Sequence, residues 1–264
     1  MAGNSSVQGA SVTSRALALL GAFDSRHRAL NLSDLARRSG LPLATAHRLL
    51  VDLVAWGAVT RRESGEYVIG RKLWRVGLLA PVETGLRELA SPYLHDLYGA
   101  TMATVHLAVR DQTAALYLDR LAGHASVPVV SEVGARLPLY STGVGKVLLA
   151  HAPLEVRQQV LGRLERHTPY TVTRPGVLAR QLDRVLEDRY ATTTEEMTLG
   201  ACSIAVPIHA GGEVVAALGV VVPSLQKKAQ LVAAMQVTAR GVERALTGIS
   251  VSGSGRWKAA APIA

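Results

Sequence analysis

The chain has 264 residues, 48% of them apolar, and a formal net charge of +9. That is enough apolar chain for a buried core and room for one large or two smaller domains, which excludes whole-chain disorder. The single cysteine, Cys202, excludes an internal disulfide and a Cys-based zinc site, and the longest strongly apolar run, Val214–Pro223, is too short to span a bilayer.

Residues 1–10 are small and polar and read as a disordered N-terminus without the regions of a secretory signal. With a lone cysteine, the expected setting is the reducing cytoplasm. From Ser11 to Phe23, apolar Val12, Ala16, Leu19, Leu20 and Phe23 recur at helical spacing, and Asp24 to Ala29 reads as a charged loop. Ser33 is the expected N-cap of a second helix ending near Ser39 at Gly40. Pro42 opens a third helix that runs to Trp56 and stops at Gly57. Leu43, Ala46, Leu50 and Leu53 share its apolar face, with Leu49 and Trp56 beside it; Ala44, Thr45, Arg48 and Asp52 point away, and His47 lies at the flank.

A hairpin follows: Ala58–Arg62, a turn at Glu63–Gly65, and Glu66–Ile69. Residues 71–80 read as another helix, with more apolar surface (Leu73, Trp74, Val76, Leu78, Leu79) than one solvated helix needs, and Pro81 breaks it. From Gly85 a helix (Leu86–Leu97) precedes three strand-like runs, Ala103–Val109, Ala114–Arg120 and Ser126–Ser131. A Gly-rich helix start at Thr142–Ala150 and helices over Leu154–Arg166 and Pro175–Tyr190 follow. Strands return at Cys202–His209 and Glu213–Val222 around a Gly211-Gly212 turn, then a last helix covers Leu225–Leu246. The expected class is α+β. It comprises an N-terminal winged helix-turn-helix (11–70), a linker helix (71–84), a C-terminal domain with a mainly antiparallel sheet (85–247) and a loose tail (248–264).

Charge is unevenly spread. Residues 1–80 carry 11 Lys and Arg against 5 Asp and Glu; residues 81–264 carry 18 against 15. Basic charge concentrated in a winged-helix module points to double-stranded DNA. A helix entering the major groove needs short side chains at its N-terminal end and polar atoms for base edges and phosphates. The candidate DNA-binding residues are therefore Ser33 on the second helix, Leu43, Ala44, Thr45, His47 and Arg48 on the third, and Arg61 and Arg62 on the wing beside Thr60.

The segments SVTSRALALLGAF, LSDLARRSGLPLATAHRLL and GEYVIG resemble the DNA-binding half of the IclR family of bacterial transcription regulators. ARLPLYSTGVGKVLLA and TTTEEMTLGACSIAVPI resemble its second half, and the likeness covers about residues 11–247. It implies a winged helix joined by a linker helix to an effector-binding sheet domain, assembled as a homodimer or a dimer of dimers. It also implies an effector pocket of Val129, Leu137, Gly143, Val144, Thr193, Ala201 and Ser203. Two positions depart from the family pattern: Thr193 stands where many members carry an acid, and Ser203 where many carry Cys, with Cys202 one residue earlier. The implied effector therefore differs from the glyoxylate- or pyruvate-like acids of some relatives.

Ser141–Lys146 imitates a phosphate loop, but Tyr140 takes the place of its first Gly and Val147 follows the lysine. Leu148 likewise breaks a dinucleotide fingerprint. The remaining readings are a helix N-terminus offering bare N–H groups to a small carboxylate or phosphate, or a tight packing contact. Adjacent Glu195 and Glu196 point apart in a strand, so they read as partners for Arg or backbone and not as a catalytic pair. The histidines, His106, His124, His151, His167 and His209, lack metal-ligand spacing, and no nucleophile elbow surrounds Ser203. No metal or cofactor is expected. The expected function is an effector-controlled, sequence-specific repressor; the alternative is a small-molecule enzyme fused to a winged helix.

Overall fold

The computed structural model describes residues 11–24, 27–77, 79, 84–123, 127 and 129–252. The expectations for residues 1–10, for Pro81 and for 253–264 lie outside them. The chain divides between Pro81 and Val82 into two compact units, taken separately.

In the first unit, α1 (Val12–Leu20) is capped by Ser11, whose Oγ accepts from the Ser14 N–H. Within the expected loop lies a short strand, β1 (Ala29–Leu30). The cap of α2 (Leu32–Ser39) is Asn31 and not Ser33: its side-chain oxygen accepts from the Asp34 N–H at 2.8 Å. Starting the helix there buries Leu30 on the strand and Leu35 and Ala36 on the helix, while Ser33 is exposed in the first turn. Gly40 (φ 68°) and Gly57 (φ 86°) close α2 and α3 (Leu43–Trp56) in the left-handed region, which a side chain disfavours. The core face of α3 is narrower than its periodicity implies. Ala46, Leu49 and Leu50 are buried, whereas Leu43 and Trp56 are 53% and 46% exposed. The Trp56 ring is covered by the Lys72 ammonium at 4.5 Å. The wing strands β2 (Val59–Arg61) and β3 (Tyr67–Ile69) join β1 in the order β1-β3-β2. The helix α4 (Arg71–Gly77) buries nothing; Trp74 is 62% exposed.

The second unit opens with α5 (Thr84–Thr101), β4 (Thr104–Asp111), β5 (Ala114–Leu121) and β6 (Arg136–Pro138). The expected strand at Ser126–Ser131 does not form: Val127, Val129, Val130 and Ser131 are irregular. Pro128 in that run lacks a ladder donor, and Arg136–Pro138 takes the place beside β5. Helices α6 (Gly143–Ala150), α7 (Leu154–Leu161) and α8 (Pro175–Asp188) follow. Gly162 ends α7 before the expected Arg166. An unexpected four-residue edge strand, β7 (Ala191–Thr194), leads to β8 (Cys202–Ala210), β9 (Glu213–Val222) and α9 (Lys228–Ser252). The last helix starts at Lys228 and not Leu225, and passes Leu246 into the stretch read as a loose tail; the Thr247 hydroxyl bonds the Glu243 carbonyl across the turn.

The sheet is wholly antiparallel, ordered β6-β5-β4-β9-β8-β7. Alternation along β4 separates its two faces. Val105, Leu107 and Val109 join the core under α5 and α9, while Ala108 joins the core under α6, α7 and α8. Thr104 and His106 leave the second face too, polar groups inside a buried strand. Register then fixes two rows across that face. Thr104, Val221, Ser203 and Thr193 lie side by side on β4, β9, β8 and β7. In the next row stand Arg120, His106, Gly219, Ala205 and Ala191.

Candidate functional site

The candidate DNA residues fall on one module. Leu43, Ala44, His47 and Arg48 are exposed on the first turns of α3, with Thr45 half-buried among them. The helix is held from behind by Leu49 and Leu50 against Leu35 of α2, which leaves this face free of the core. Among the described residues neither His47, Arg48 nor Arg62 has a charged partner, so their donors are available to an incoming anion. Arg37 and Arg38, by contrast, are held by Asp34 and Asp24. On the wing, the Arg61 guanidinium lies over the Tyr67 ring at 5.7 Å, and Arg62 is exposed at the turn. Ser33 is exposed on α2 but belongs to a different helix from the other candidates.

All seven residues of the implied effector pocket line one half-open cavity in the second unit. Its floor is the two-row face of the sheet, and its roof is the N-terminus of α6. Gly219 permits that approach: a Cβ there would meet Val144 Cγ1 at 2.6 Å. Two of the N–H groups at the start of α6 are already engaged. Gly143 donates to Ser203 Oγ at 3.1 Å, and Gly145 donates to its cap, Thr142 Oγ1, at 3.1 Å. Ser203 Oγ also shares a proton with Thr193 Oγ1 at 2.6 Å. The two departures from the family pattern thus complement each other: one hydroxyl accepts from the helix and bonds the other.

The cavity also holds residues that motif reasoning passed over: His106, Tyr117, Ser131 and Ser141. His106 meets Tyr117 edge-on, with ring centroids 5.0 Å apart, and its Nε2 lies 2.8 Å from Ser131 Oγ. Burial first, and the Arg120 charge second, hold its pKa down at about 3. Tyr117 is driven the other way by burial, so its hydroxyl stays protonated. The signal in the sequence was available: a strand apolar at every other position, with Thr104 and His106 between.

Behind the cavity, α6 carries Lys146 into the interior, 1% exposed. Its ammonium donates to both Glu196 oxygens at 2.6 and 2.8 Å and to Gln181 Oε1 at 2.8 Å. Burial pushes the lysine pKa down and the glutamate pKa up, each opposed by the other's charge. Glu195, its neighbour, adopts φ 55° and its carboxylate accepts from the Gly200 N–H. The two acids lie in a bend beyond β7 and not in the expected strand; the bend at Glu195 sends one acid to a lysine instead of an arginine and the other to backbone. Together with Thr168 and Thr171, whose hydroxyls donate to the Glu195 and Glu196 carbonyls, these bonds fix the loop that brings Met197, Thr198 and Ala201 to the cavity.

Ser131 beside His106 has the outline of a nucleophile and a base. A base near pKa 3 accepts no proton usefully at neutral pH, and nucleophilic catalysis needs a group to orient it. No cluster of metal-ligating side chains occurs among the described residues. Cys202 is buried and unpaired with another thiol. Among the described residues no helix is long and apolar enough to cross a membrane.

Residues 12–63 match the family model of the IclR helix-turn-helix domain, and residues 80–244 that of the bacterial transcriptional regulator IclR C-terminal domain. The glycerol operon regulatory protein of Streptomyces coelicolor is 34% identical over 92% of this chain and 96% of its own. The HTH-type transcriptional regulator BhcR of Paracoccus denitrificans is 34% identical over 78% of this chain and 75% of its own. Among solved structures, an IclR homolog from Microbacterium hydrocarbonoxydans complexed with 4-hydroxybenzoate is similar with a TM-score of 0.84. It is 33% identical, and the likeness covers 90% of this chain and all of that one.

Proposed function

The chain belongs to the IclR family of bacterial transcriptional regulators, and on that premise we propose how this regulator divides its work. Leu43, Ala44, Thr45, His47 and Arg48 on α3 meet base edges and phosphates of an operator, and Ser33, Arg61 and Arg62 hold its backbone. The cavity takes a small organic effector through Val129, Leu137, Gly143, Val144, Thr193, Ala201 and Ser203. It binds without turning its ligand over, and the protein acts in the cytoplasm as a repressor. A 4-hydroxybenzoate complex of a structural relative supports a ligand of that size.

The observation that carries this reading is the cavity itself: residues from seven elements and three loop stretches converge on one half-open space lined by several hydroxyls. The exposed apolar side chains of the first unit, Val12, Leu17, Trp74 and Leu79, support self-association as a homodimer or dimer of dimers. Two linked readers on a palindromic site then double the contacts. An effector changes DNA affinity only by favouring one arrangement of the assembly over another.

Fluorescence anisotropy against DNA from the region flanking the gene tests the reader. Arg48→Ala is expected to weaken binding about tenfold or more, a loss of roughly 1–3 kcal/mol per contact, with oligomeric state unchanged by light scattering. The wild-type affinity should fall steeply with added salt. Unchanged affinity in the variant would remove Arg48 from the interface.

A further inference from the structure

A groove of about 660 Å³ lies on the same face of the sheet as the cavity, at the other end of β4, and shares no lining residue with it. The alternation that turns Thr104 and His106 to that face turns Ala108 and Arg110 to it as well. Arg110 is exposed there, beside Thr113 of the β4–β5 turn. The opposite wall is α7. Val156, Gln159, Val160 and Arg163 recur at i, i+3, i+4 and i+7, one stripe that continues just past the Gly162 cap. Tyr140 completes the lining. Its hydroxyl is engaged by the Glu165 N–H at 3.0 Å and by His167 Nε2 at 2.9 Å, so its contribution to the groove is the ring.

Both cations of the groove lack a counter-charge. The Arg110 guanidinium reaches only the neutral Gln112 carbonyl, at 3.4 Å, and Arg163 has no side-chain partner among the described residues. Arginines close by in the fold are held: Arg157 on α7 by Asp183, and Arg136 on β6 by Asp111. No carboxylate lines the groove. Glu155 and Glu165 flank it in sequence, and the charge of Glu165 is felt at the Tyr140 hydroxyl, yet neither carboxylate enters the lining. A lone surface arginine is simply hydrated. Here two share one concavity with Val156, Val160 and the Tyr140 ring, so charge stands beside apolar surface. Two unpaired guanidiniums match a phosphate monoester, which carries about −1.5 to −2 charge and three acceptor oxygens, better than they match a single carboxylate.

We propose that this groove is a second ligand site, separate from the effector cavity, for a small phosphorylated metabolite. Arg110 and Arg163 hold the phosphate, Gln159 and Thr113 add neutral hydrogen bonds, and the apolar part of the ligand lies along Val156, Val160 and Tyr140. Its size falls within the range of small-molecule sites.

Isothermal titration calorimetry of the full chain at pH 8 and low salt tests this, with phenyl phosphate and inorganic phosphate as the probes. Phenyl phosphate is expected to bind, more tightly than inorganic phosphate, with an affinity that falls as salt is added. Arg110→Gln and Arg163→Gln should each weaken it about 3- to 10-fold, and the double variant more than either. Neither arginine lines the cavity, so a loss in these variants locates the phosphate in the groove. Both side chains are exposed, so circular dichroism should be unchanged, and Arg163→Gln alone decides the matter if Arg110→Gln folds poorly. An affinity that survives the substitutions overturns the proposal, as does inorganic phosphate binding as tightly as phenyl phosphate, or no binding of either. None of these outcomes touches the reading of the cavity.

Discussion

The candidate DNA surface on α3 falls within six residues, Leu43 to Arg48; Ala46 among them is buried in the core and Thr45 half-buried, and the rest are exposed. The first row of the cavity floor, Thr104, Val221, Ser203 and Thr193, comes from four strands spread over 118 positions of chain and lies inside the protein. On α3 the fold sits behind the functional face and is indifferent to what that face carries. In the cavity the same atoms serve both roles: Ser203 caps α6 and lines the site, and Lys146 anchors the helix whose N-terminus roofs it. The proposed DNA contacts are therefore separable from stability in the first unit, and the proposed effector contacts are not in the second.

Lys146→Met is the strongest way to break that contrast. The change leaves Glu196, 7% exposed in its side chain, without its cation. Removing one partner of a buried pair destabilises by about 3–5 kcal/mol, whereas replacing both by apolar groups is often close to neutral. Urea denaturation followed by circular dichroism should show a loss of that size in the single variant and recovery of most of it in Lys146→Met with Glu196→Leu. A single variant within about 1 kcal/mol of wild type would mean that the pair does not hold α6, and that the site can be altered without the fold.

The same contrast explains what the sequence disclosed. Helix stops at Gly40 and Gly57, the hairpin turn, and the outward face of α3 are local patterns, readable within a few residues. Even there, local signals compete: Asn31 and Ser33 are both good caps, and burial of Leu30 and Leu35 decided for Asn31. The seven cavity residues came together only because resemblance supplied their grouping. Periodicity alone could not, since β4 is buried on both faces and its neighbours follow from register with β9, more than a hundred residues later. The edge strands β6 and β7, of three and four residues, are too short to show a period. Lys146 read as a failed phosphate-loop lysine, and nothing nearby in sequence names Glu196 as its partner.

His106→Gln sharpens the comparison through pH. An unfolded histidine takes up a proton near 6.5, while the folded site refuses it until about pH 3. Stability from this group is fully present above pH 6.5 and falls as pH drops through that window, by about 1.4 kcal/mol per pH unit while the difference lasts. Glutamine retains a polar group near Ser131 and does not titrate. Denaturation midpoints from neutral pH downward should therefore decline less steeply in the variant than in wild type. Parallel curves would show that His106 protonates freely in the fold, and that water reaches it more readily than its 3% exposure indicates.

Arg48→Ala carries the smallest expected change in stability, and for the comparison that smallness is the point. Arg48 is exposed, without an ion-pair partner among the described residues, and lies on the side of α3 away from Leu49 and Leu50. Alanine is at least as good a helix former, so the substitution removes no packing and no backbone preference. Stability should stay within about 0.5 kcal/mol of wild type in the same urea titration. A loss well beyond that would tie Arg48 into the fold and transfer to α3 the property assigned above to the cavity. A weakened DNA affinity in that variant would then have to be reassigned from lost contact to lost structure, which the unchanged helix content expected by circular dichroism distinguishes.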